Sequence, residues 1–579
     1  MLKILKNLRV GDWFLMVLIL GMTVLQVFCT MTLTDAIRDL TSTIMRAQMG
    51  GAGTAEIWMG AGVMVGYAVA VMVCQVFVSL CASIISSSLV TNLRRKLNDR
   101  IESMSMGQVE RFSTASLITR ATNDIQTVGF TVVMAARMLC GAPVTAIWAI
   151  CKIQAVSGEL TLVTGIGILV LIIFLVFMIV FLLPRFKKVQ KFVDKVNLIS
   201  QENLQGIRVI HAFNAESYQE EKFEKTNKDL TRLQVFTSRL SALMNPFLTL
   251  IMNGISLGIY WLGSSLINSG TTDYPTLVSF STLSSMIVMS FMMLMFMFIM
   301  FPRAQISAVR INEVLSTEPD ILDPEVEKPC TEVGTIEFDD VSFHYEGGGD
   351  VVSHLSFSIG KGQTLAIIGA TGSGKSTVIR LLARFYDPSE GSIKIDGVDL
   401  RDMKQKTLRS KLSLVPQKGL LFSGTVASNI KYASESMDDE TMKEAARIAM
   451  ADEFIQKMEG GYEARIAQGG SNVSGGQRQR LCIARAIASK PEICAFDDSF
   501  SALDFKTDYQ VRSNLKASLS DSTKIIVAQR IGTIMDADKI LVLSEGKIVG
   551  QGTHQELLRS CPEYQEIALS QLSKEELGL

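Results

Sequence analysis

What is scarce in this sequence narrows its chemistry first. Only four histidines occur in 579 residues (His211, His344, His354 and His554). The nine cysteines are scattered, with no C-x-x-C pair and no clustering with histidine, which argues against a metal centre or a disulfide framework. The formal net charge is -1, so the strong basic excess of a nucleic-acid binder is missing and no nucleic-acid partner is expected. A small-residue cleavage site is missing too. The start, MLKILKNLRVGDWFLMVLIL, opens like a signal peptide, but its apolar run continues too long, and the segment is expected to be retained.

What is abundant is hydrophobic residues, 48% of a chain too long for one core, so two regions of different composition are expected. The first half holds five uncharged runs that approach or exceed the ~20 residues a helix needs to cross a bilayer: Trp13–Thr34, Ile57–Thr91, Leu160–Pro184, Leu240–Thr272 and Tyr274–Pro302. A sixth, Ile125–Ile153, is apolar apart from Arg137 and Lys152. So many runs cannot all hide in a soluble domain, and six membrane spans are the economical count. Lys3, Lys6 and Arg9 precede the first span, Arg94, Arg95, Lys96 and Arg100 follow the second, and Arg185, Lys187, Lys188 and Lys191 follow the fourth. Those ends are expected in the cytoplasm, with both termini.

Two long polar connections, Asn92–Asp124 and Arg185–Arg239, read as helical extensions beyond the membrane. Within them RFSTASLITRATNDIQ and GIRVIHAFNAESYQEEKF mix apolar with small and polar residues, a pattern suited either to a short docking helix or to a solvated hairpin. The expected domains are 1–310 in the membrane, an acidic, proline-containing linker over 311–333, and an α/β domain over 334–579.

In that last region QTLAIIGATGSGKSTVIRLLARF is strand, glycine loop and helix in succession. Its loop fits G-x-x-x-x-G-K-[ST] from Gly369 through Thr371, Gly372, Ser373, Gly374, Lys375 and Ser376 to Thr377. Glycines let backbone N–H groups converge on phosphate oxygens, Lys375 can reach the β- and γ-phosphates, and the Ser376 hydroxyl can ligate Mg²⁺. Downstream, PEICAFDD carries a strand into Asp497, a second Mg²⁺ ligand. Between them Ser474, Gly475, Gly476 and Gln477 in NVSGGQRQRLCIARAIA open a helix whose first N–H groups form another anion site.

Gly369–Thr377, Gln417 in LVPQ, VSGGQ at Val473–Gln477, Asp497 and SALD at Ser501–Asp504 together resemble the motif set of an ATP-binding cassette protein. Six spans before the cassette resemble an ABC exporter half-transporter, and the likeness covers essentially the whole chain, TRATND and FNAE included. The implied fold is a six-helix transmembrane domain fused to an α/β P-loop nucleotide-binding domain. The resemblance also implies two cassettes meeting head to tail, each ATP held between the phosphate loop of one and the signature helix of the other. Tyr345 would then stack on adenine, Gln417 would link Mg²⁺ to the membrane domain, Asp504 would belong to the nucleotide site, and the two polar segments would be coupling helices.

Two positions depart from the family pattern. Where a glutamate normally activates water stands Asp498, one methylene shorter, and a carboxylate misplaced by about an ångström can lose on the order of 10²-fold in rate. Where a switch histidine is normal, IIVAQRIGTI has Gln529, which can hydrogen-bond a phosphate but cannot carry a proton. With the phosphate loop and signature intact, the chain reads as the slow or non-hydrolysing subunit of a heterodimeric ABC exporter. It is similar to bacterial multidrug exporters of that type, and a different half-transporter would supply the competent site. The expected substrates are hydrophobic or amphiphilic compounds, and the expected place is a bacterial plasma membrane. The alternatives are a dedicated lipid or peptide translocator and a regulatory ATP-binding subunit that does not pump. An N-terminal peptidase domain, which would favour the peptide version, is not found. Met286–Met300 is dense in methionine and phenylalanine, an adaptable surface or lipid-facing filler, and Arg137 would face a cavity, a partner or the interface. Asn245, Pro246 and Asn253 would loosen or pack the fifth span.

Overall fold

The structure is a computed structural model that describes residues 2–577 apart from Ala52 and Glu435. Of the methionine-rich run, the side chains of Phe298 and Ile299 lie outside the described set. The chain forms two compact units, Met1–Ile101 with Ala115–Thr317, and Glu102–Thr114 with Glu318–Leu579.

The first unit is built on α1 (Val10–Gln48), α2 (Thr54–Glu102), α3 (Ile125–Val156), α4 (Gly158–Gln205), α5 (Met244–Asn268) and α6 (Tyr274–Ser316). Six helices are long and apolar enough to cross a membrane. They outrun the apolar segments because charged ends such as Arg94–Lys96 continue the same helix; at 49 residues α2 is roughly 73 Å long, against a hydrocarbon thickness of about 30 Å. Val17, Leu80, Ile173 and Trp261 are exposed, the outward face expected against lipid. Inside, small residues allow close helix approach: a Cβ on Gly167 would collide with Ile255, and one on Gly263 with Leu277. Several polar groups there are paired, as in the Thr164–Ser284 hydroxyl contact at 2.9 Å. Lys152 donates to Asp35 Oδ2 at 2.5 Å and to Met31 O at 3.3 Å.

The short helix grouped with the second unit is Met106–Phe112, upstream of most of RFSTASLITRATNDIQ. After Thr119, TRATND forms one π-helical turn, Arg120–Asp124, inside the membrane unit. There Arg120 donates to Glu313 at 2.8 Å and Ser307 donates to Asp124 at 2.8 Å, so these polar residues brace the start of α3 against α6. In the other segment Ile207–Ala212 is a short helix with Ile207, Val209 and the following Phe213 exposed.

In the second unit a mixed sheet runs β6-β5-β1-β4-β3-β2, where β1 is Thr364–Gly369, β2 Leu412–Val415, β3 Ile493–Asp497, β4 Thr523–Val527, β5 Lys539–Ser544 and β6 Lys547–Gly552. All neighbours are parallel except β5 and β6. The parallel strands are buried on both faces and are near-continuous apolar runs for that reason. The register Ile367↔Val527↔Asp497 brings the C-terminal ends of β1, β4 and β3 to one edge, where ligands of open α/β sheets bind. A smaller antiparallel sheet pairs Ile336–His344 with Asp350–Ile359 and Glu390–Ile395.

Candidate functional site

The loop after β1 leads into α7 (Lys375–Leu382), and its glycines are placed by geometry. Gly374 has φ +96°, and a Cβ there would lie 2.6 Å from Val352 Cγ1; Gly372 has φ +84° with open space around it. One glycine lets the chain pack and the other leaves room for an anion against the N–H groups. Thr371 and Gly372 are exposed, whereas Ser373, Gly374, Lys375 and Thr377 are buried. Lys375 Nζ donates to Gly369 O at 2.8 Å and Ala370 O at 2.6 Å, folded back onto its own loop. Burial pulls its pKa down, opposed by the charges of Asp498 and Asp497.

Ser376 Oγ donates to Asp497 Oδ1 at 2.9 Å, bringing two hard oxygen ligands together at the end of β3. Burial raises the Asp497 carboxyl above its ordinary range; the Ser376 hydrogen bond works against this, and the neighbouring Asp498 charge adds to it. The half-buried Asp497 carboxylate beside buried Asp498 and a hydroxyl is a donor set that Mg²⁺ fits.

Asp498 is 9% exposed and adopts φ +46°, held by its N–H to Val527 O at 2.9 Å. Its Oδ2 accepts from Gln417 Nε2 at 3.2 Å and from Gln529 Nε2 at 3.1 Å. The three residues that sequence reasoning marked as base, loop and switch positions therefore meet on one oxygen. Two amides occupy the atom that would otherwise face water, and neither amide can accept a proton and become cationic.

Tyr345 is half-buried, its hydroxyl 3.3 Å from Thr377 Oγ1, and Arg380 donates to it at 3.1 Å. Ser474 caps α8 (Gly475–Ala488) by accepting from Gln477 N at 3.2 Å, while the Gln477 side chain accepts from Ser474 N at 2.9 Å. Ser474 and Gly475 are exposed, and among the described residues no hydrogen bond joins this turn to Gly369–Thr377. Asp504 is exposed and caps α9 (Phe505–Ser518), accepting from Thr507 N at 3.0 Å.

Sequence reasoning missed several supporting residues. Tyr386 meets Tyr345 edge-on at 5.3 Å, and its hydroxyl donates to Glu110 of the Met106–Phe112 helix at 3.1 Å. Burial and Glu110 push the Tyr386 pKa up to about 12, so it stays a donor. Arg530, next to Gln529, donates to Ser501 O at 3.2 Å, tying the switch strand to SALD. Gln571 Nε2 donates to Gln529 O at 2.8 Å. The one local signal was the S-x-x-Q box, Ser105 to Gln108, that starts the helix Met106–Phe112.

Over most of its length the chain is similar to known proteins. The family described as ABC transporter transmembrane region matches residues 13–291, and that described as ABC transporter matches residues 352–501. The ABC transporter ATP-binding protein YfiB of Bacillus subtilis is 37% identical over 523 residues, 90% of each chain. An ATP-dependent lipid A-core flippase of Saccharophagus degradans is 30% identical over 493 residues, 85% of this chain and 83% of that one. The structure of a bacterial Atm1-family ABC exporter with ATP bound superposes with a TM-score of 0.77 at 24% identity, covering 94% of this chain and 96% of that one, a likeness of fold.

Proposed function

From the premise that this chain belongs to the ABC transporter family, a multi-pass membrane region joined to an ATP-binding domain, we propose that it is the slow-site subunit of a heterodimeric exporter. What supports the reading is the fate of Asp498, whose Oδ2 is capped by the Gln417 and Gln529 amides and which is a methylene short of the usual glutamate. ATP with Mg²⁺, when bound, supplies the phosphoanhydride whose cleavage resets the transporter. Lys375, now folded onto the Gly369 and Ala370 carbonyls, would donate to phosphate oxygens. Ser376 and Asp497 would hold the metal, with Gln417 beside them linking it to the membrane region. Tyr345 positions the adenine. Ser474, Gly475, Gly476 and Gln477, turned outward, serve the site of the opposite subunit, and Asp504 keeps its helix in register beside them.

The partner is a different half-transporter with glutamate and histidine at the two departed positions. Its cassette offers a seat for the exposed Ile207, Val209 and Phe213. The pair exports hydrophobic or amphiphilic compounds from a bacterial cytoplasm across the plasma membrane, with both termini and the cassettes inside. A second reading, a narrow lipid translocator, is favoured by the relative named a lipid A-core flippase. The test is a single-turnover experiment on the purified pair: about half of the bound nucleotide should remain ATP after the partner site has fired, and equal turnover at both sites would sink the proposal.

A further inference from the structure

Lys152 and Arg137 are the two cations of the third span, and they are treated differently. Lys152 is neutralised by Asp35. Arg137 lies roughly 18 Å along α3 from Ile125 and has no hydrogen-bond or ion-pair partner among the described residues. It lines a cavity of ≈ 390 Å³ between α1, α2, α3 and α6, within the size range of small-molecule sites. Among the described residues no carboxylate lines that cavity. A lone guanidinium carries five N–H donors and a charge that low-dielectric surroundings leave uncompensated.

The other polar groups sharpen the preference. Thr30, Thr145 and Ser290 each spend their hydroxyl proton on a carbonyl of their own helix, at 2.8, 2.9 and 2.8 Å. Thr23 does not: it is 4% exposed and its Oγ1 has no partner. Gln26 Nε2 donates to Gln75 Oε1 at 2.6 Å, which leaves further amide N–H groups of that pair unspent; with Arg137 and Thr23 they weight the cavity toward donors, and Arg137 is the one charged group among its described lining residues, so the site favours a ligand head that accepts and is negative. The remaining wall includes Met134, Met289 and Met293, unbranched thioethers that fit themselves to a flexible apolar chain.

We propose that this cavity binds one anionic amphiphile, a carboxylate or phosphate head on an apolar chain, with Arg137 and Thr23 holding the head and the methionines the chain. The proposal rests on the exporter reading above and names its substrate class. A neutral ligand leaves the cation unpaired, and a cationic one meets repulsion.

The test uses the full chain in phosphatidylcholine nanodiscs without nucleotide. Three probes are titrated by dansyl fluorescence: 11-(dansylamino)undecanoate, a twin with trimethylammonium in place of the carboxylate, and dansylglycine, which lacks the chain. The long anion should bind saturably and at least about tenfold more tightly than the cationic twin, and dansylglycine should not saturate. Arg137→Gln should weaken the long anion about tenfold or more and nearly abolish the preference, Arg137→Lys should keep most of it, and Thr23→Val should weaken the anion about threefold. No saturable binding of the long anion, equal affinity for both twins, or an unchanged Arg137→Gln chain overturns the proposal. Saturation by dansylglycine overturns its amphiphile part. Because nucleotide is absent, equal turnover at the two ATP sites would defeat the subunit assignment and leave these affinities as they stand.

Discussion

Restoring the two departed residues, Asp498→Glu with Gln529→His, should convert the slow site into a working one. The structure sets the size of the effect. Oδ2 of Asp498 lies 3.2 and 3.1 Å from the two amides, and the added methylene carries the carboxylate about an ångström beyond them. A misplacement of that size accounts for about 10²-fold in rate, or about 2.7 kcal/mol of barrier. Histidine for Gln529 removes one of the two capping amides and adds a group that can take a positive charge, expected to contribute at least a further ~10-fold. The assay is phosphate release from the membrane-reconstituted pair in which the partner's own phosphate-loop lysine has been replaced, so that only this site turns over. A double variant that binds ATP normally yet stays within about threefold of the unmodified chain would refute the reasoning.

Lys375→Ala should leave the nucleotide-free cassette about as stable as before, because burial already weighs against this ammonium, while the ATP-induced rise in melting temperature should disappear; a persisting rise would contradict the assigned role. Asp497 has its carboxyl raised, so without metal its contribution to stability is present at low pH and lost as pH rises through the raised value. The stabilisation gained on adding Mg²⁺ with ATP should therefore grow between about pH 4 and pH 7, read by thermal unfolding, and a flat difference would count against Asp497 as a ligand. Gly374→Ala should cost about 2 kcal/mol in denaturant unfolding of the cassette, from its positive φ and the collision with Val352, and an unaltered midpoint would show that the loop relaxes freely.

The phosphate loop, Asp497 and VSGGQ were readable because each is a local pattern whose chemistry lies within a few residues. The meeting of Gln417 and Gln529 on Asp498 was not, since the partners come from segments 81 and 31 residues away and it is the parallel register of β2, β3 and β4 that brings them together. The helical extensions beyond the apolar runs, expected over Asn92–Asp124 and Arg185–Arg239, were legible for a different reason. Apolar content marks what lies in lipid, whereas backbone hydrogen bonding continues into water, so α2 runs on to Glu102 through its arginines. The short helix Met106–Phe112 was not singled out because seven residues in a polar loop show little periodicity, whereas its polar follower TRATND drew attention although Arg120 and Asp124 pair with α6. The difference between Lys152 and Arg137 depends on Asp35, a residue 117 positions from Lys152 in the chain.

The central claim is that this polypeptide holds ATP but needs another chain to break it quickly. The direct measurement is steady-state ATP hydrolysis by the purified chain alone in nanodiscs, set beside the same chain co-purified with its partner half-transporter. The pair should turn over at least about 100-fold faster. A lone chain that matches the pair would contradict the claim.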